Sequence, residues 1–186
     1  LYAMAEPLPG RDAVAQALAT HPSDVARSWA AQWVQFADLP LAQGLDAVRR
    51  FAADAHFGVR EMAWMAVREA VAREVDATVM LLQPWVGDAD PNIRRFASEL
   101  TRPRGVWCAQ LETLKAEPWR AAALLEPLRC DPARYVQNSV ANWLNDASRT
   151  QPAWVRETCE RWARESPTVE TAYIVKRAQR SLRKEG

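Results

Sequence analysis

The chain has 186 residues and a nearly balanced charge, with 24 Lys and Arg against 23 Asp and Glu. This length fits one domain, residues 1–186, and the balance lacks the overall basic excess typical of many nucleic-acid-binding proteins. Three cysteines and two histidines argue against a disulfide framework, a thiolate zinc site and a histidine metal centre. No apolar run approaches the roughly 20 residues of a membrane-spanning helix.

Almost every segment has apolar residues at the three- and four-residue spacing typical of helices, and none alternates with the period of a strand. Asp90-Pro91, Asp131-Pro132 and Thr168 each supply an N-cap acceptor at the start of a helix. Prolines and glycines mark the helix ends. The sequence predicts eleven helices, at 12–20, 24–37, 41–54, 58–73, 77–86, 91–102, 106–115, 119–128, 132–146, 153–165 and 169–183.

Three of the predicted helices open with the same pattern. Residues 59–63 (VREMA) align with 93–97 (IRRFA) and 136–140 (VQNSV), at separations of 34 and 43 residues. Helix-pair repeats recur at about 34 to 47 residues, so we predict an all-α fold, a HEAT-like helical-repeat solenoid. In such a stack one helix of each pair lines a concave face, and we expect the three aligned helices to line it.

Charged side chains on these helices are the candidates for chemistry. Arg95, Glu99 and Arg102 share one helical face; a solvated ion-pair ladder is the alternative interpretation. Asp146 lies in the last turn of its helix, where the dipole disfavours a carboxylate, so it needs a cationic ligand or a partner such as Arg149. Glu61 lies in a first turn, where the dipole alone accounts for a carboxylate.

Two basic segments suit phosphate contacts. Residues 102–105 (RPRG) predict a stiff basic loop, and Arg177, Arg180 and Lys184 share one face of the last helix. Each segment also fits a solvated surface. The chain has no P-loop, dinucleotide glycine motif, nucleophile elbow or zinc-protease helix motif, so the common chemistries of those motifs are not indicated.

Four segments together resemble a known family: 56–61 with Trp64, 94–99, 102–107 and 135–146. They resemble the DNA alkylation repair glycosylases of the AlkC/AlkD HEAT-like repeat superfamily, most closely the AlkC branch. The resemblance covers about residues 50–183. It implies a concave DNA-binding face and a monofunctional glycosylase that excises cationic purines of the 3-methyladenine and 7-methylguanine type, with water as the attacking group.

The resemblance also implies the partners and the site. The expected partner is double-stranded DNA with alkylated bases, bound by a monomer in the bacterial cytoplasm or nucleoid, with no metal, cofactor or membrane. Glu61, Glu99 and Asp146 form the implied catalytic set, whose charges suit an oxocarbenium-like sugar. Trp107 and Trp143 are the implied aromatic contacts to lesion or DNA. The implied phosphate-binding residues are Arg95, Arg102, Arg104, Arg177 and Arg180.

Two other functions fit the same residues. A non-catalytic relative would bind bent or branched DNA with a salt-sensitive affinity that survives neutralisation of the three carboxylates. A protein-interaction solenoid would keep its partner after Arg177 and Arg180 are neutralised. It would also fail to bind DNA at low salt.

Overall fold

A computed structural model describes residues 10–105 and 107–182 of the chain. These residues form eleven α-helices and contain no strand, which confirms the all-α prediction. The helices are α1 Arg11–Ala19, α2 Asp24–Trp33, α3 Leu41–Ala52, α4 Phe57–Arg73, α5 Val75–Leu82, α6 Pro91–Leu100, α7 Glu112–Ala116, α8 Ala122–Leu125, α9 Arg134–Ala147, α10 Pro152–Glu165 and α11 Val169–Ala178. None of these described helices is long and apolar enough to cross a bilayer.

The largest difference from the predicted helices follows α6. The helix predicted at 106–115 begins only at Glu112; residue 106 itself lies outside the described residues. Residues 107–111 instead belong to an irregular loop, which the Leu111 N–H closes by donating to the Pro103 carbonyl at 3.0 Å. The prediction of helix there was wrong because this long-range hydrogen bond replaces the local helical ones. Arg183 and Lys184, at the predicted basic C-terminus, also lie outside the described residues.

Two of the three predicted N-caps are confirmed. Asp90 accepts from the Asn92 N–H at 2.8 Å, and Thr168 accepts from the Thr171 N–H at 3.2 Å. The cap predicted at Asp131 was wrong, because α9 begins at Arg134. The Asp131 carboxylate accepts instead from the Ala133 N–H at 2.8 Å, just before the helix, and from the Arg94 guanidinium at 2.6 Å, so it links two repeats.

The helices pack as pairs stacked in chain order. The second helices of the pairs (α2, α4, α6, α9 and α11) pack side by side, each against the next. We call them the second-helix layer. The first helices pack behind them, with α1 on α2, α3 on α4 and α10 on α11. This stacking places the three aligned segments of α4, α6 and α9 next to one another.

A recurring hydrogen bond marks the repeat. Arg27, Arg60, Arg94 and Gln137 each donate from the side chain to the backbone carbonyl six residues earlier, at 2.6–2.9 Å. The last three are the second residues of the aligned segments, so the predicted 34- and 43-residue spacing is confirmed. Arg27 adds a fourth copy in α2.

Apolar positions of the aligned segments fix the direction of their polar ones. The first and fifth residues of each segment, such as Val59 and Ala63, are buried in the core between the layers. Burial of a valine or isoleucine stabilises the fold by about 1.5–3 kcal/mol. At 100° per residue, the third residue of each segment points away from that core. Glu61, Arg95 and Asn138 therefore share one face of the second-helix layer.

Candidate active site

The three predicted acids lie in one ion-pair network that crosses α4, α6 and α9. Arg95 bridges two of them, with Nη1 2.7 Å from Glu61 Oε1 and Nη2 3.4 Å from Glu99 Oε2. Arg102 bridges the next two, with Nη1 2.7 Å from Glu99 Oε1 and Nη2 2.8 Å from Asp146 Oδ2. Five charges therefore alternate in sign across three repeats.

Most of this network is removed from solvent. The side chains of Arg95, Glu99 and Asp146 are 10%, 7% and 10% exposed, whereas that of Glu61 is 32% exposed and forms the open end. The alternative of a solvated ion-pair ladder was therefore wrong. Burial makes the charges depend on one another, because an unpaired buried charge is strongly destabilising.

Glu99 is the most fully engaged of the acids. Its Oε1 accepts from Arg102, and its Oε2 accepts from the Ser139 hydroxyl at 2.7 Å. The Ser98 hydroxyl donates in turn to Ser139 at 2.8 Å. Burial is the largest single effect and opposes ionisation, but Arg95, Arg102 and Ser139 together outweigh it and lower the pKa of Glu99. Glu99 is therefore a fixed anion at neutral pH.

Asp146 has the opposite electrostatic character. Burial raises the pKa of its carboxyl, although Arg102 opposes that shift. Arg102 Nε and Nη2 both contact Oδ2, at 2.9 and 2.8 Å, and Oδ1 accepts no hydrogen bond from any residue that the structure describes. The alternative partner Arg149 is exposed and makes no ion pair with Asp146. Asp146 thus combines a raised pKa with an open oxygen.

Tyr135 supports the network from the first turn of α9. Its ring centroid lies 4.6 Å from the Arg95 guanidinium carbon and 5.0 Å from that of Arg60. Its hydroxyl accepts from Arg60 Nε at 3.3 Å. Tyr135 is not among the site residues predicted from the sequence. An aromatic residue directly before the aligned segment at 136–140 was the available signal.

The two predicted aromatic contacts have different environments. Trp143 is fully buried and its indole N–H donates to the Thr101 carbonyl at 2.9 Å. A buried ring offers DNA no surface, so the prediction for Trp143 was wrong. Trp107, in contrast, is 91% exposed, with a φ of 64°. The left-handed region is strained for a residue of this size.

The predicted phosphate-binding arginines divide in the same way. Arg95 is buried and Arg102 is half-buried, and both already pair with carboxylates. Their assignment to phosphates stays a prediction, which these ion pairs do not support. Arg177 and Arg180 are exposed at the end of α11, and Arg180 Nη2 donates to Asn142 Oδ1 at 3.0 Å. Arg104 is half-buried, and its Nε has no partner among the described residues.

No group of three His, Cys, Asp or Glu side chains in the described ranges is placed to hold a metal ion. The acids of this site are separated by arginines rather than gathered around a shared point. Its chemistry is that of positioned carboxylates, which stabilise developing positive charge and accept protons.

No protein-family model matches the sequence. The chain is 36% identical over 121 residues to the uncharacterized protein YhaZ of Bacillus subtilis, a match that covers 65% of this chain and 33% of YhaZ.

Solved structures match a larger share of this chain than YhaZ does. The chain is similar to Pseudomonas fluorescens alkylpurine DNA glycosylase AlkC bound to DNA containing an abasic site analog, with a TM-score of 0.67, 30% identity, and coverage of 84% of this chain and 43% of AlkC. It is also similar to AlkD2 from Streptococcus mutans, with a TM-score of 0.72, 22% identity, and coverage of 93% and 83%. The chain spans less than half of AlkC and one third of YhaZ.

The similarity to these solved structures agrees with the helical repeat found within the chain. The structural match to AlkD2 extends over nearly the whole chain and shows the fold. The match to AlkC adds sequence identity over 84% of the chain, and the repeated side-chain-to-carbonyl bonds provide the internal spacing of a helical-repeat protein. The chain therefore has the HEAT-like helical-repeat fold of the AlkC/AlkD superfamily.

Proposed function

We propose that the protein is a DNA repair glycosylase that hydrolyses the N-glycosidic bond of cationic alkylpurines such as 3-methyladenine and 7-methylguanine. One observation carries the proposal: Glu61, Glu99 and Asp146, from three different repeats, converge on one network. The arginines between them keep the acids in place. Similarity to AlkC, an alkylpurine DNA glycosylase bound to DNA, supports the same conclusion.

The reaction requires stabilisation of a cationic sugar. The bond between C1′ and the purine nitrogen breaks heterolytically, and its electron pair leaves with the cationic purine, which departs as a neutral base. Positive charge then develops on the deoxyribose, where preorganised carboxylates stabilise it. Water adds to C1′ and gives up a proton, which leaves an abasic site. Removal of one preorganised electrostatic group typically slows a reaction by about 10²–10³.

The two buried acids suit different parts of this reaction. Glu99 stays ionised at neutral pH because its pKa is lowered, so we assign it to electrostatic stabilisation of the sugar. Asp146 has a raised pKa, which burial causes, and an open Oδ1. A carboxylate of that kind is suited to orient water and accept its proton. Glu61, the partly exposed end of the network, faces the incoming DNA.

The exposed residues supply the proposed DNA contacts. Trp107 presents an almost fully exposed ring that stacks on bases or on the lesion. Arg104, Arg177 and Arg180 contact phosphates, which makes binding salt-dependent. The partner is duplex DNA, bound by one copy of the protein.

Release of free base tests the proposal. The protein is incubated with duplex DNA that contains 3-methyladenine and 7-methylguanine, and the free bases are quantified by chromatography. We expect release above the spontaneous rate, and a lower rate for Asp146→Asn. Wild-type release at the spontaneous rate contradicts the proposal. Salt-sensitive DNA binding without base release would match the non-catalytic alternative instead.

A further inference from the structure

Arg68 is a buried arginine with an unusual set of partners. It lies on α4 and is 1% exposed. Its Nε donates to the Ala109 carbonyl at 2.9 Å, Nη2 donates to the Arg102 carbonyl at 2.6 Å, and Nη1 donates to the Leu100 carbonyl. It makes no ion pair among the described residues. The guanidinium therefore binds backbone at the end of α6 and in the loop that follows.

The described parts of that loop, residues 101–105 and 107–111, have a compact base and an exposed tip. Pro103 and Leu111 are buried where the Leu111 N–H meets the Pro103 carbonyl. A Cβ at Gly105 would overlap the Cys108 sulfur and lie 3.4 Å from Arg68 Nη2, so a larger residue there would displace the Cys108 side chain beside Arg68. Trp107 projects from this loop in its left-handed conformation. Such a strained residue persists only where its surroundings hold it.

The position of Arg68 recurs in the other repeats, where different residues occupy it. Arg68, Arg102 and Asn145 occupy one repeat position, 34 and 43 residues apart. Asn145 Nδ2 donates to the Ala178 carbonyl at 3.0 Å, at the end of the next second-layer helix. Arg68 makes the equivalent bonds to Leu100 and Arg102 and adds the bond to Ala109. At Arg102 the same position binds the acids Glu99 and Asp146 instead.

We infer that Arg68 is a positioning residue for the proposed excision: through three backbone carbonyls it fixes both Arg102, which orients Asp146, and the loop that presents Trp107. This role rests on the proposed function. Arg68 does not touch DNA, since it is buried, and acts only through the backbone that it binds.

Arginine is suited to this role in a way that lysine is not. The planar guanidinium presents five N–H donors in a fixed fork, whereas an ammonium group is a compact point charge that cannot span three separated carbonyls. Burial lowers the pKa of Arg68 to about 10, so the group remains a cation at neutral pH. A cation at the C-terminal end of α6 also interacts favourably with the helix dipole.

Two variants of the whole chain test the inference, Arg68→Met and Arg68→Lys. The first measurement is trypsin cleavage of the Arg104–Gly105 bond, followed by mass spectrometry. We expect cleavage at least about tenfold faster in Arg68→Met, because the loss of a single buried hydrogen bond already raises the open population of the loop by about that factor and Arg68 makes three such bonds. Val155→Ala is the matched control for global destabilisation, because it leaves a cavity at a fully buried position of α10.

The second measurement is the single-turnover rate of base release at saturating DNA. We expect it to fall about tenfold or more in Arg68→Met, with Arg68→Lys intermediate, and to stay unchanged in Val155→Ala. Should Arg68→Met fail to fold, Gly105→Ala perturbs the same loop from its other side and is expected to give the same two effects.

Either of two results overturns the inference. One is cleavage of Arg104–Gly105 no faster in Arg68→Met than in Val155→Ala; the other is faster cleavage with an unchanged rate of base release. Because trypsin cleavage needs no substrate, it decides whether Arg68 holds the loop even if the wild-type protein releases no base. That last result would contradict the proposed function separately.

Discussion

Replacing Glu99 with glutamine removes one charge from the middle of the network and preserves its shape. Arg95 and Arg102 lie 3.4 and 2.7 Å from the Glu99 oxygens. Loss of one partner from a buried ion pair costs about 3–5 kcal/mol. Arg95 keeps Glu61, however, and Arg102 keeps Asp146. We therefore expect Glu99→Gln to lower the free energy of unfolding at pH 7 by less, about 2–3 kcal/mol.

The pH dependence of this loss follows from the pKa of Glu99. The folded-state pKa lies below the ordinary value of 4.5, so the ionised carboxylate stabilises the fold at pH above 4.5. That stability is lost as the pH falls through the folded-state pKa. The difference between wild type and Glu99→Gln is therefore complete at pH 7 and shrinks below pH 4.5.

Urea denaturation at pH 7 and at pH 4 measures the stability difference, and single-turnover base release measures the chemical effect. We expect release by Glu99→Gln to be slower by about 10²–10³. Glu126→Gln is the matched control, because Glu126 pairs with Arg161 and Trp162 away from the site; it should lose stability but keep its rate of release. An unchanged rate in Glu99→Gln, or a stability difference independent of pH, would refute this reasoning.

Three further predictions concern Asp146, Trp107 and the C-terminal arginines. Because burial raises the pKa of Asp146, its ionised form disfavours folding at neutral pH, and the penalty disappears in acid. Asp146→Asn should therefore slow base release yet unfold at pH 7 within about 1 kcal/mol of wild type; a large drop in the melting temperature contradicts this. Trp107→Gly relieves about 1–2 kcal/mol of left-handed strain, so the variant should melt no lower than wild type but bind DNA more weakly. Equal DNA affinity would show that the Trp107 ring makes no contact with DNA. Arg177→Gln and Arg180→Gln should each reduce the slope of log DNA affinity against log salt concentration by about 1. Fluorescence anisotropy measures this slope, and an unchanged slope argues against a phosphate contact.

The fold could be predicted because similar residues recur at equivalent positions of each repeat. Arg60, Arg94 and Gln137 stand at the same place in three segments and make the same carbonyl bond. Apolar spacing then fixed which face is buried. The convergence of the acids followed from that alignment, since residues at related positions of stacked helices become neighbours.

The roles of individual residues depended on distances between helices, which the sequence does not contain. In a sequence, an arginine near acids looks the same whether it binds carboxylate or phosphate, so the ion pairs of Arg95 and Arg102 could not be predicted. Trp143 did carry a signal, because it lies three residues after Val140 on the apolar stripe of α9. The contacts of Arg68 join α4 to a loop more than 30 residues away. Only the shared repeat position with Arg102 hinted at them.

In the proposed mechanism, buried carboxylates stabilise a cationic deoxyribose, and the affinity for sugar analogues measures that stabilisation. The measurement compares the affinity for duplex DNA with a cationic pyrrolidine in place of one deoxyribose and for the same duplex with an uncharged tetrahydrofuran. We expect wild type to bind the cationic duplex at least about tenfold more tightly, roughly 1.4 kcal/mol, and the double variant Glu99→Gln, Asp146→Asn to lose this preference. Equal wild-type affinity for the two duplexes, or a preference that persists in the double variant, would show that these carboxylates do not stabilise a cationic sugar.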